Sequence, residues 1–131
     1  MKSSLLLLAT AVALTAAPAR GLGARAQEPL DPRIAAYDKG PATIDVSKYP
    51  ADMQPRYKLF VTRCSKCHTI ARPINCEFVL EDEWERYVKR MMRKPGSGIS
   101  ASDGQKIYEF LAFDSKTRKK ALYEKKLKQI K

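Results

Sequence analysis

The sequence contains little histidine, cysteine or tryptophan: one histidine, three cysteines and one tryptophan in 131 residues. Three cysteines cannot all pair with one another in disulfides, so at least one of them must have another role. Internal repeats and alternating apolar and polar runs are also missing, which disfavours repeat architectures and β-sheets. Outside the N-terminal segment, no apolar run is long enough to span a bilayer. These absences predict a small all-α domain with no stable membrane insertion.

The N-terminal segment is apolar and follows a short positive stretch. Residues 5–17 read LLLLATAVALTAA after Met1 and Lys2, a length that suits a secretory signal and is too short for a membrane span. Small residues at Ala24 and Ala26 suit cleavage after Ala26, and a second candidate lies at residues 17–19. We therefore predict a signal peptide at residues 1–26 and a periplasmic location.

The chain is strongly basic, with a formal net charge of +11 from 25 Lys and Arg against 14 Asp and Glu. Only Lys2, Arg20 and Arg25 lie in the predicted signal peptide, so the exported protein remains basic. Charge of one sign steers encounters with surfaces of the other sign, which favours partners with an acidic docking surface. Nucleic acid is disfavoured because the chain is exported. Surface lysines can also serve solubility alone.

Proline and helical periodicity divide the remaining chain into an arm and a domain. Residues 27–50 contain several prolines and no helical period, which predicts an extended arm over the surface. Residues 51–131 form the domain, in which the loop TIARPINCEFV separates the first two helices. Apolar residues at helical spacing predict four amphipathic helices, at residues 51–63, 81–94, 102–113 and 114–131, the last of them basic.

The stretch RCSKCHTIARPINC, residues 63–76, holds every cysteine and the histidine. Cys64 and Cys67 lie about one helical turn apart and His68 follows directly, which matches the attachment sequence of c-type haem. A zinc site would need Cys76 as its fourth ligand and would have to bind one ion through adjacent Cys67 and His68. A thioredoxin-like redox pair requires a β-α-β framework that this helical pattern lacks. Haem attachment is therefore the favoured interpretation.

The CSKCH motif, the helix before it and the IYEFL helix after it resemble small monohaem cytochromes c of class I. The resemblance covers residues 50–113. It implies a small cytochrome c fold of three to five helices packed around one covalently bound haem. It also implies thioethers at Cys64 and Cys67, His68 on the iron, and an electron carrier rather than an enzyme.

The resemblance also implies a methionine downstream of the motif as the second axial ligand. A second histidine from this chain is excluded, because His68 is the only one. On the helix at 81–94, Trp84, Val88 and Met91 lie nearly in line, whereas Met92 points about 100° away, so Met91 is favoured. Met92, another ligand or an open position remain alternatives. An open position would indicate a haem-based sensor or a small haem enzyme.

Two further features have simpler interpretations. Basic residues cluster at 89–94 and at 116–131, and either cluster can dock an acidic redox partner or simply be a solvated helix face. Cys76 has no partner once Cys64 and Cys67 hold haem, and we interpret it as a small buried residue.

Overall fold

The computed structural model describes residues 29–131, and the predicted signal peptide at 1–26 lies outside them. This part of the chain is all-helical, which confirms the predicted fold class. No helix in residues 29–131 combines the length and the apolar character needed to cross a bilayer. Six helices follow one another, where three to five were predicted: α1 (Pro32–Asp38), α2 (Met53–Cys64), α3 (Ala71–Asn75), α4 (Glu81–Met92), α5 (Ala101–Thr117) and α6 (Lys120–Gln129).

Helix α2 forms where the apolar spacing predicts it, and it ends at the first cysteine of the motif. Phe60 and Cys64 are buried on its inner face, one turn apart. Phe60 stacks on Phe110 of α5 with ring centroids 5.6 Å apart, and Tyr57 lies 5.3 Å from the same ring. This aromatic cluster holds α2 across α5 and thereby fixes where the CSKCH motif begins.

Helix α4 begins with three acidic residues and ends with basic ones, as the helix dipole favours. The Glu83 carboxylate accepts hydrogen bonds from the backbone amides of Val79 (2.9 Å) and Leu80 (3.0 Å), which caps the first turn. Trp84 is buried and donates its indole N–H to Ser115 Oγ at 2.8 Å. These contacts tie α4 to α5 and set the rotation of α4 about its axis.

Helix α5 is longer than predicted and begins earlier. Its N-terminal cap is Ser100, whose hydroxyl accepts a hydrogen bond from the Asp103 amide at 3.0 Å. A break at Arg118 and Lys119 then separates α5 from α6, so the basic segment at 114–131 is not one helix. Lys119 turns inward at this break and donates its amine to the Cys76 carbonyl at 2.7 Å.

The predicted extended arm is partly helical, which corrects the expectation for residues 27–50. Pro32 is the first residue of α1, where its missing amide hydrogen costs nothing, and Asp31 caps the helix by accepting from the Arg33 amide at 2.8 Å. Similarly, Pro73 lies inside the short helix α3, in a stretch predicted as a loop. Helix α1 packs against α3.

Candidate cofactor site

A cavity of about 700 Å³ opens beside the CSKCH motif. This volume falls within the range of about 300–1,000 Å³ that is typical of small-molecule and cofactor sites. Its walls come from the motif, from α1 and α3, from α4, and from the turn at residues 95–99. The sequence-predicted site residues that line it are Cys64, Cys67, His68 and Met91.

The two motif cysteines lie at different depths in the wall. Cys64, the last residue of α2, is buried, whereas Cys67 is exposed at the cavity mouth, and both thiols are free. Burial, followed by the nearby Cys67, raises the pKa of the Cys64 thiol to about 12. Cys64 therefore faces the cavity as a neutral thiol at physiological pH.

His68 is held by its own backbone neighbour. Its Nδ1 atom lies 2.9 Å from the Thr69 carbonyl oxygen, a hydrogen bond in the tautomer that carries the proton on Nδ1. That tautomer leaves the lone pair of Nε2 free to bind a metal, an arrangement common among metal-ligating histidines. The sequence offered no partner for this nitrogen, and the structure supplies Thr69.

The two adjacent methionines of α4 face different surroundings. Met91 lines the large cavity together with the residues of the motif. Met92 instead lines a separate cavity of about 360 Å³ between α4 and α5. A Cβ atom added to Gly104 of α5 would lie 2.5 Å from the Met92 Sδ, so Met92 is packed against that helix. Of the two, Met91 is the one that the structure brings together with Cys64, Cys67 and His68.

Tyr87, one helical turn before Met91, is a buried residue of the cavity wall; its position on α4 is consistent both with contact to a cofactor and with ordinary core packing. Its side chain is 6% exposed and lines the cavity. Within residues 29–131, its hydroxyl is the buried side-chain polar atom without a hydrogen-bond partner. Burial raises the pKa of this phenol well above its usual value, so it is a neutral donor. Such an unpaired donor fits a cavity that receives a group with polar atoms.

Charged side chains surround the cavity, and most of them are basic. Arg63 pairs with Asp103 and Arg72 with Asp38, at 2.8 and 2.6 Å. Arg90 places its guanidinium 5.5 Å from the centre of the Tyr87 ring. No ion pair within residues 29–131 involves Arg90 or its cavity neighbour Lys94. These two cations at the end of α4 are available to other anionic groups.

Cys76 also lines the cavity, which was not predicted. It is buried, as expected, and its thiol donates to the Pro73 carbonyl at a sulfur–oxygen distance of 3.4 Å. Burial raises the pKa of this thiol. No three His, Cys, Asp or Glu side chains in the described chain come together as a metal-binding group, so Cys76 does not complete a set of zinc ligands with the motif.

Three apolar residues from the N-terminal arm complete the wall: Leu30, Ile34 and Tyr37. They follow the helical spacing i, i+4 and i+7, directly around the Asp31–Pro32 start of α1. The apolar spacing and the Asp-Pro helix start are both present in the sequence, but the several prolines of this region favoured the prediction of an extended segment. The arm therefore belongs to the site, which the assignment of residues 27–50 to a surface segment did not anticipate.

Comparison with known proteins identifies a relative of this chain. The chain is similar to a cytochrome c from Chlorobaculum tepidum, with 39% identity over 75 residues. The match covers 53% of this chain and 36% of that relative, so the chain spans about a third of the relative's length. No family model matches the chain, and no solved structure matches it. The similarity supports a relationship to cytochromes c, in agreement with the all-helical fold and the CSKCH motif.

Proposed function

We propose that this protein is a periplasmic electron carrier that holds one c-type haem covalently, with His68 and Met91 as axial ligands. One observation carries this proposal: Cys64, Cys67, His68 and Met91 line the same cavity of about 700 Å³. The similarity to a protein named cytochrome c supports it. The apolar run at residues 5–17 supports export.

Each of these residues has a distinct task in this proposal. Cys64, which is buried, and Cys67, which is exposed, would hold the cofactor as thioethers. His68, with Nδ1 hydrogen-bonded to Thr69, would offer Nε2 to the iron, and Met91 would offer a soft thioether. The bound haem supplies a single electron by cycling between ferrous and ferric iron. The buried Tyr87 hydroxyl is consistent with an occupant that carries polar atoms.

Spectra of the exported protein test this assignment. The pigment is expected to stay with the polypeptide after denaturation in acid and organic solvent, because thioether bonds are covalent. The ferric protein is expected to show the weak near-infrared absorption of a thioether bound to iron. Met91→Ala abolishes this absorption, and Met92→Ala, in which the neighbouring methionine is truncated, retains it.

The same measurements can contradict the proposal. If haem is absent from protein made in a host that attaches it to other CxxCH proteins, the haem function is wrong. If the near-infrared absorption survives Met91→Ala and disappears in Met92→Ala, the ligand is Met92. Rapid binding of carbon monoxide by the unmodified ferrous protein would indicate an open distal position, and therefore a haem-based sensor or a small haem enzyme.

We further propose that the redox partner docks at the end of α4, through an acidic surface. Arg90, Lys94 and the exposed Cys67 line the same cavity, and Lys66 lies beside the turn at Gly98. Arg90 and Lys94 therefore belong to the wall of the cavity that would hold the cofactor. The basic helix α6 is the less favoured docking site, since part of its charge is used internally: Lys126 pairs with Glu83 at 2.7 Å.

Electron transfer with an acidic partner tests the docking surface. The bimolecular rate is expected to fall as ionic strength rises, because salt screens attraction between exposed charges. The double variant Arg90→Gln and Lys94→Gln is expected to lower the rate by about tenfold at low salt. The control is Arg86→Gln together with Lys89→Gln on α4, which removes the same charge from residues outside the cavity wall. Equal losses in both pairs would show that net charge alone, and not this surface, determines the rate.

A further inference from the structure

Helix α1 has an apolar face that the protein itself buries only in part. No residue of α1 is fully buried, and Leu30, directly before the helix, is 51% exposed. Yet Leu30, Ile34 and Tyr37 share one face and line the large cavity. A seven-residue helix is not stable by itself in water, so its position must come from tertiary contacts.

Polar contacts with α3 fix this position. The Asp38 carboxylate receives two hydrogen bonds from the Arg72 guanidinium, at 2.9 and 2.6 Å. The Asn75 side-chain amide donates to the carbonyls of Tyr37 (3.1 Å) and Pro41 (2.9 Å). A Cβ atom at Gly40 would lie 2.5 Å from the Asn75 amide nitrogen, so this close approach requires glycine. We refer to these contacts of Asp38, Gly40 and Asn75 as the α1–α3 clamp.

The clamp holds the apolar face of α1 over the cavity, with Tyr37 also packed against the edge of the core. We propose that α1 is a cofactor-contacting segment, in which Leu30, Ile34 and Tyr37 cover one side of the bound macrocycle. This inference rests on the proposed haem function and extends the binding site beyond residues 51–131. A flat, largely apolar group is the ligand chemistry that such a face would contact, because its burial removes apolar surface of both from water.

Covering the cofactor has a consequence for its redox chemistry. Ferric haem carries one more positive charge than ferrous haem, and water stabilises the more charged form. Exclusion of water by α1 therefore favours the ferrous state and raises the reduction potential. Removing the cover is expected to lower the potential without changing the axial ligands.

A matched pair of substitutions on α1 tests this inference in the full-length, haem-loaded protein. Ile34→Asn places a polar side chain on the face that lines the cavity, and Ala36→Asn places the same side chain on the exposed face. Ile34→Asn is expected to shift the midpoint potential downward, while Ala36→Asn leaves it unchanged. Trypsin cleavage after Arg33 and Lys39 is expected to accelerate by about fivefold or more in Ile34→Asn only, since cleavage follows local opening.

A second pair of substitutions tests the α1–α3 clamp instead of the apolar face of α1. Asp38→Asn weakens the contact with Arg72, so it is expected to lower the potential and speed cleavage of α1. Asp31→Asn, on the same arm, disrupts a pair with Arg33 in which both side chains are solvent-exposed, and the potential is expected to stay the same. The inference is wrong, and the haem function stands, if in haem-loaded protein Ile34→Asn matches Ala36→Asn and Asp38→Asn matches Asp31→Asn in both potential and cleavage rate. Wild-type protein without haem would overturn both.

Discussion

The two sides of the cavity are held by different interactions. On one side, α2, α4 and α5 meet in an aromatic core, in which Phe60 stacks on Phe110 and Trp84 donates a hydrogen bond to Ser115. On the other side, α1 and α3 are joined by the α1–α3 clamp and contribute no buried residue from α1. The first side draws its stability from apolar burial, whereas α1 on the second side is attached to the buried helix α3 by a few directional contacts. The difference indicates a rigid wall at α2 and α4 and a more easily opened wall at α1.

The largest expected effect is a loss of stability after substitution on the aromatic side of the cavity. Phe110→Ala removes a fully buried ring and is expected to lower the free energy of unfolding by about 3–5 kcal/mol. Urea unfolding of the haem-loaded protein, followed by far-ultraviolet circular dichroism, measures this loss. Phe113→Ala, three residues further along α5 and only partly buried, is the control. Equal losses from the two substitutions would contradict a stability centred on the Phe60–Phe110 stack.

An intermediate effect is expected from Gly40→Ala on the other side of the cavity. The added methyl group displaces the Asn75 amide, and the local cost of this overpacking is about 1–2 kcal/mol. Because α1 can open without unfolding the core, hydrogen exchange of the α1 amides is expected to speed up while the urea midpoint changes little. Gly104→Ala, which meets Met92 on the aromatic side, is expected to leave α1 exchange unchanged. A large fall in the urea midpoint with Gly40→Ala would mean that both sides unfold together.

The smallest expected effect is a pH dependence of the α1–α3 clamp. The hydrogen bonds from Arg72 hold the pKa of Asp38 below its ordinary value of 3.8. A depressed carboxyl pKa contributes stability that is present above the unfolded-state pKa and lost as pH falls through the folded-state pKa. Protection of the α1 amides is therefore expected to weaken below about pH 4. Measuring exchange at a series of pH values tests this, and Asp38→Asn is expected to flatten the dependence. A slope that persists in Asp38→Asn would assign the effect to another carboxylate.

The long helices were predictable because their patterns repeat over several turns. Helices α2, α4 and α5 are each three turns or longer and contain several apolar residues at helical spacing, and the structure confirms all three. Helices α1 and α3 have only seven and five residues, and each contains a proline. Such short segments do not show a helical apolar period that can be recognised from the sequence. The α5–α6 break was also missed, since Lys119 leaves the helical path for a contact with Cys76, 43 residues earlier in the chain.

The candidate site likewise contains residues that could be predicted from the sequence and residues that could not. Its chemistry could be named from local sequence, because the spacing of Cys64, Cys67 and His68 depends on neighbouring residues alone. Ile34 could not be named, since an apolar residue in a short segment that contains several prolines is equally consistent with an ordinary surface or core position. Haem attachment and ligation by His68 and Met91 stay predictions that the proposed spectra test.

By itself, the sequence determined the all-helical class, the three long helices and the motif, because each follows from contacts between residues a few positions apart. The sequence favoured Met91 because it lies in line with Trp84 on α4, and the tertiary structure placed Met91 and not Met92 in the same cavity as the motif, with Trp84 hydrogen-bonded to Ser115 on another helix. Only the tertiary structure also placed the arm on the cavity, through contacts of Asp38 and Tyr37 with residues more than thirty positions away. Hydrogen bonds over such separations depend on the folded geometry of both partners, which no local pattern encodes.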